Sequence, residues 1–422
     1  MKRLDVPAEL VDAFVRAAVP GPGDHRAGDV AVAKALLKQH PGTAETSIYA
    51  AAVAGDAAAL RRWLRQDRKL ATTAGGAMGW QPLCYVCFSR FLRLAKKKQR
   101  RDFLACARML LRAGAGPNSA FTNPGDGVRE SALYGAAGVA NDAPLTRLLL
   151  KAGADVNDGE TLYHAAEFPS HDCLKLVLAR KPENISFCMC HKMDQEDPAG
   201  VGVFLKYGAD PNFLIERGAN DLHGLRPLHF AILRNRSPKT VRVLLHGGAD
   251  PLLPSSAGVT PYAFAMILGR RQIAAELRRH GGATALSPKE QFLAACSAGK
   301  TTEANRLVRA DPTLTKSLTP HERALLPLLA GEGNFPAVRV MLATGFPIDT
   351  PGPWGGSAIH QAAWAGHVPI VRFLLKRGAS LTCKQCFGGE VLQTAIHGAT
   401  HAGHPHGPAI VRLIKRALTQ SL

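Results

Sequence analysis

Three groups of residues in this sequence have the types and spacing to do chemistry. The first is Cys383-Lys-Gln-Cys386, followed eleven residues on by His397 and four later by His401. Two thiolates from one turn and two imidazoles one helical turn apart form a donor set that tetrahedral zinc accepts. The ordinary reading of the same residues is a pair of reduced loop thiols beside a His-rich loop, because Gly398 and Gly403 make the imidazole segment a poor ligand platform. The second group is acidic and imidazole-bearing: Asp158, Glu160, His164, Glu167, His191, Lys192 and Asp194. A reaction centre would need a nucleophile, a base and an orienting group in mutual reach. Polar residues lining a binding face account for the same set without chemistry. The sequence has no phosphate-binding glycine loop, no G-x-S-x-G and no H-E-x-x-H.

The third group is basic. Between Arg61 and Arg112 there are fourteen Lys or Arg and two acids, a local charge of +12 out of a total of +19. Arg61, Arg65, Arg68 and Lys69 share one helical face, and Lys96, Lys97, Lys98, Arg100 and Arg101 form a dense run. Such a field attracts phosphates, and binding through it falls steeply with salt. Aromatic residues that could stack on bases are sparse in this stretch, and the common role of a charge run is a solvated face. Cys84, Cys87, Cys188 and Cys190 read as buried small hydrophobes rather than a redox pair.

The composition is that of a folded chain: 46% apolar, 20% charged and only 6% aromatic. No apolar run approaches the ~18 residues of a membrane helix. Asp5, Glu9 and Asp12 interrupt the stretch where a secretory signal needs apolar residues. These features predict a cytoplasmic protein with no membrane partner, and leave export as an effector open. Nine cysteines without such a signal predict thiols rather than disulfides.

The elements that must position these groups are repeated. Met109-Leu-Leu-Arg-Ala-Gly114, Leu148-Leu-Leu-Lys-Ala-Gly153-Ala-Asp-Val-Asn157, Val203-Phe-Leu-Lys-Tyr-Gly208-Ala-Asp-Pro-Asn212, Val243-Leu-Leu-His-Gly-Gly248 and Phe373-Leu-Leu-Lys-Arg-Gly378 all end a leucine-rich helix on glycine. Weaker copies end at Gly282 and Gly345, giving spacings of 34 and 33 residues. Each unit opens on a cap followed by small residues: Gln81-Pro82-Leu83, Ser131-Ala132-Leu133, Arg226-Pro227-Leu228-His229, Thr260-Pro261-Tyr262 and Ser357-Ala358-Ile359-His360. A Ser or Thr caps a helix, and proline fits its first turn. Leu145, Leu148 and Leu149, or Ile370, Val371, Phe373 and Leu374, form the apolar stripe of the second helix.

This pattern resembles the ankyrin repeat, with its T-P-L-H-x-A-A opening and G-A-D-x-N exit. Pro82-Leu-Cys-Tyr-Val-Cys-Phe-Ser-Arg90 and Gly159-Glu-Thr-Leu-Tyr-His164 are similar to a group of divergent bacterial members. The resemblance implies an all-α solenoid of about eleven helix–loop–helix units with protruding hairpin-like fingers. It implies a helical cap or degenerate repeat over 1–43, repeats over 44–283 with a basic insertion at 89–101, and repeats over 284–422. It further implies a structural role for His229 and His360, bridging backbone groups between units.

The function expected of such a chain is non-enzymatic: a scaffold, without a cofactor, that holds another protein on its concave face and finger loops. Asn118, Arg129, Asp158, Glu160, His191, Asn212, Asp221 and Trp354 are the expected contact residues. The alternative is a nucleic-acid or acidic-partner binder acting through residues 61–112.

Overall fold

In the computed structural model, residues 6–21, 28–216 and 222–420 are described. The chain forms two compact units, one up to Asp210 and the other from Pro211 onward. Each is a row of antiparallel helix pairs. In the first, the helices Ala8–Ala18 and Val30–Gln39 precede the pair Ile48–Ala54 and Ala57–Gln66. Pairs then open at Pro82–Phe88, Ala132–Tyr134, Thr161–Ala165 and Ile185–Asp194. In the second, first helices are Pro227–Leu233, Pro261–Ile267, Pro288–Ser297, Leu325–Gly331, Ala358–Trp364 and Val391–His401. Eleven pairs follow the N-terminal helices among the described residues, in line with the repeat reading. First helices lie side by side, as Ile48–Ala54 does with Pro82–Phe88 and Pro261–Ile267 with Pro288–Ser297.

Local chemistry sets the boundaries. The Thr260 hydroxyl accepts the N–H of Ala263, and Pro261 takes the first helical position, where its missing N–H costs nothing. The long helix Lys97–Ala113 ends at Gly114, whose φ of 112° is left-handed and strained for any side chain. Two units lack that glycine and use aspartate. After Ala57–Gln66, the Asp67 carboxylate accepts the N–H of Lys69 at 2.8 Å. After Thr301–Ala310, Asp311 accepts that of Thr313 at 2.9 Å. Both start a short helical turn where most other units make a glycine exit.

The stripes pack as their period requires. Leu145, Leu149, Ile370, Val371 and Leu374 are buried, while Leu148 and Phe373 lie at the edge. The insertion at 89–101 becomes a short helix, Arg90–Leu94, and the first turns of Lys97–Ala113. One finger is a true hairpin, with Ala120–Thr122 paired antiparallel to Arg129–Ser131. An isolated bridge outside it joins Gly75 to Trp80. His229 is fully buried, and its Nε2 meets the Val259 carbonyl of the next unit at 2.9 Å. Burial holds it in the neutral form, down to about 4. The bridging role expected of His229 is therefore present.

Candidate functional site

The acid–imidazole residues do converge. His164, at the end of Thr161–Ala165, stands 3.1 Å from Glu160 and 3.2 Å from Glu167. His191, on Ile185–Asp194, stands 3.6 Å from the same Glu167 and 3.9 Å from Asp194. The Tyr163 ring lies flat on His191, with centroids 3.7 Å apart. The units approach this closely because position 138 has no side chain: a Cβ there would meet the His164 Cβ at 2.7 Å. Burial alone would lower the His164 pKa. Hydrogen bonds donated by the ring to Glu160 and Glu167 overcome it and raise it to about 9. His164 and His191 hold the Glu167 carboxyl well below its usual range.

Two members of the set do other work. The Asp158 carboxylate accepts from the hydroxyls of Ser131 at 2.5 Å and Thr161 at 2.6 Å, joining consecutive units. Lys192 is turned away from the cluster and wholly buried; its ammonium donates to the Phe168 carbonyl and pairs with Asp197, each at 2.8 Å. What remains is a chain of ion pairs without an activated nucleophile. Cys188 is pushed up to about 12 by burial, as are Cys84, Cys106 and Cys296. Cys87 and Cys190 are raised for the same reason. These thiols are packing groups, as their sequence context predicts.

The expected zinc donors are not drawn together. The Cys383 sulfur faces Ser357 and the His360 Nδ1 at 3.8 and 3.9 Å, and Cys386 is exposed. His397 stacks on Trp364 and on His401 instead. Among the described residues no three His, Cys, Asp or Glu side chains are grouped to hold a metal ion. His397 is oriented by the Trp364 ring, and His401 by the His397 ring and the Thr400 hydroxyl.

The basic run divides as well. Arg68 donates to the Arg112 and Ala113 carbonyls, closing the end of Lys97–Ala113, and Arg100 pairs with buried Asp142 at 2.7 Å. Arg61, Arg65, Lys69, Lys96, Lys97, Lys98 and Arg101 are exposed.

Most of the expected finger contacts are likewise engaged within the chain. The Asn118 side-chain oxygen accepts the N–H of Asp155 at 2.8 Å, and its carbonyl accepts from Arg129. Asn212 accepts from Asp250 at 2.8 Å in the same way, and also donates to Gly248. Asn157 takes the Glu183 N–H, and Asp349 that of Ser380. In these four units the residue four places past the exit glycine thus ties its finger to the next. Asp221 lies outside the described residues. Trp354 is different: it is 61% exposed, at φ 58°, and stacks at 5.9 Å on Phe387 of the following finger, itself 77% exposed. The Cys386 N–H donates to its carbonyl at 2.8 Å. Phe387 was not among the expected residues; a lone Phe beside two glycines gives no periodic signal.

Stacked helix pairs, several of them tied finger to finger, define a repeat frame. Residues 292–385 match the family model for ankyrin repeats in three copies, and residues 223–256 match that for a single ankyrin repeat. Both stretches are ankyrin repeats. The chain is similar to the Ankyrin repeat and SAM domain-containing protein 6 of Mus musculus, 35% identical over 106 residues, and to that of Rattus norvegicus, 36% over 104. Each match covers 24% of this chain and 11% of the relative, so the chain spans about a tenth of those proteins. Among solved structures, the human ASB11 ankyrin repeat domain is 19% identical, with a TM-score of 0.41, over 56% of this chain and 99% of that one. No helix among the described residues is long and apolar enough to cross a membrane. Ankyrin repeats as a class are protein-interaction scaffolds.

Proposed function

We propose that this chain is a non-enzymatic frame that grips a protein partner through its finger tips, with Trp354 and Phe387 as the anchor in the second unit. The observation that carries this reading is the exposed pair itself. Two large aromatic rings stand on adjacent fingers in solvent, and the tryptophan is held in a left-handed backbone that costs about 1 kcal/mol. Aromatic anchors of this kind supply much of the energy of protein interfaces. The fingers are tied to each other by Asn212 and Asp349, so little ordering is lost on binding. Affinity capture from the source cell tests it. The double variant Trp354→Ala, Phe387→Ala is expected to lose the main captured protein about tenfold or more with an unchanged melting temperature. Retention of the same proteins by the variant would remove these fingers from the interface.

One observation favours a second reading. Lys96, Lys97, Lys98 and Arg101 are exposed around the N-terminus of Lys97–Ala113, whose first turn holds no acid. Cations there oppose the helix dipole and are stabilised by a bound anion. Under this reading the chain binds duplex DNA or RNA with a steep salt dependence that flattens on replacing Lys96, Lys97, Lys98 and Arg101 by alanine. Absence of binding at low salt eliminates it.

A further inference from the structure

The hairpin finger of the first unit carries a second feature. Its register sets Phe121 opposite Glu130, so the two side chains share a face of the ribbon. The Phe121 ring lies flat on Trp80, with centroids 3.8 Å apart and planes 11° from parallel. Trp80 is backed by Tyr85 and Phe88 at 5.3 and 5.8 Å, which fixes the stack. Pro20, Met78 and Pro124 complete a cleft of about 280 Å³ around these rings and Glu130. That is just below the ~300 Å³ at which sites for drug-sized ligands begin, and suits one long side chain.

Glu130 is only 6% exposed, yet its carboxylate has a single donor, the Asn123 amide at 2.6 Å. No cation among the described residues pairs with it, in a chain of net charge +19. Its neighbour Arg129 donates to the Asn118 carbonyl instead. A buried carboxylate without a counter-charge is costly, and here burial pushes the Glu130 carboxyl up. Asp126 and Glu160 lie near enough to add negative potential, which His164 opposes. The walls are aromatic and aliphatic, the end is anionic, and the missing component is a cation on an apolar stem.

We infer that this cleft receives a lysine side chain of a protein partner, its methylenes against Trp80 and Phe121 and its ammonium on Glu130. Lysine fits better than arginine because Asn123 already occupies one carboxylate oxygen. The forked guanidinium is strongest on two free oxygens, whereas an ammonium needs one. The inference deepens the partner-binding reading, on which it rests, and it can fail independently because its contacts are not those of Trp354 and Phe387.

The probe is a capped Ala-Ala-Lys-Ala-Ala peptide, compared with the same peptide carrying norleucine or arginine. The full chain is titrated while the Trp80 indole N–H is followed by NMR, its signal assigned by Trp80→Phe. The lysine peptide is expected to move that signal with a Kd of about 1 mM, the norleucine peptide to bind at least about tenfold more weakly, and arginine to fall between. Glu130→Gln is expected to bring lysine down to the norleucine level. Equal binding of lysine and norleucine overturns the inference, and that comparison needs no variant to fold. Tighter binding of arginine overturns the choice of lysine. Failure of the peptide to bind, with partner capture still dependent on Trp354 and Phe387, sinks this inference and leaves the broader reading standing.

Discussion

Lys192→Ala is expected to destabilise the unit around residues 161–206 by about 3 kcal/mol, near the lower end of the cost of breaking a buried ion pair because the Asp197 side chain keeps 20% exposure. Lys192 threads between units so closely that a Cβ on Gly200 would lie 2.2 Å from its Cε. Its ammonium holds the Phe168 carbonyl and Asp197. Asp197 in turn accepts from His171 at 2.7 Å and caps Pro198–Lys206 through the Gly200 N–H at 2.9 Å. Burial works to raise the Asp197 carboxyl, but Lys192 and His171 outweigh it and hold it at about 2. Loss of the ammonium leaves a void and a carboxylate with one fewer partner. Lys192→Met, which fills the space without charge, should cost about half as much. Asp197→Ala should cost most, since it strands a buried ammonium and removes a cap. Hydrogen exchange over residues 161–206 is the right measure, because a repeat array opens locally rather than all at once. Equal protection in Lys192→Ala and the unaltered chain would contradict this account.

The second large effect is on pH. His164 titrates at about 9 in the folded chain against an ordinary value of 6.5. A cation whose pKa is raised by folding stabilises fully below its unfolded value, and loses that contribution as pH rises through the folded one. The stability of the first unit is therefore expected to fall between pH 6.5 and 9, by about 2 kcal/mol once solvent screening of the half-buried Glu160 and Glu167 is allowed for. His164→Gln should be less stable at pH 6.5 and should flatten this dependence. Urea unfolding of both proteins at the two pH values gives the comparison. A variant with the same pH slope as the unaltered chain would show that the Glu160–His164–Glu167 pairing does not operate.

The fold was legible because its determinants are local and repeated. The glycine exits at Gly114 and Gly248, the proline openings at Pro227 and Pro261 and the leucine stripes each have one cheap structural solution, and together they specify the helix pair. The site residues were harder to read because their partners lie far along the chain. Asn118 and Asn212 look like exposed recognition amides, yet each binds an N–H 37 or 38 residues on. Lys192 reads as a polar member of a lining face, and only packing against Gly200 reveals it as a core group. Cys383 and His397 satisfy a metal spacing in one dimension while facing His360 and Trp364 in three. Trp354 was visible as a large aromatic in a glycine-rich loop; its stacking partner Phe387 was not, since nothing in the sequence links two fingers a repeat apart.

Site-specific photo-cross-linking tests the partner-binding claim most directly. A benzophenone amino acid in place of Phe387, on the exposed finger, is compared with the same group at Arg372, exposed on the second helix Val368–Lys376. On irradiation in the source cell, the finger position is expected to trap one protein in a discrete adduct that the Arg372 position does not. Equal labelling from both positions, or an adduct from Arg372 alone, would contradict a partner held at the finger tips.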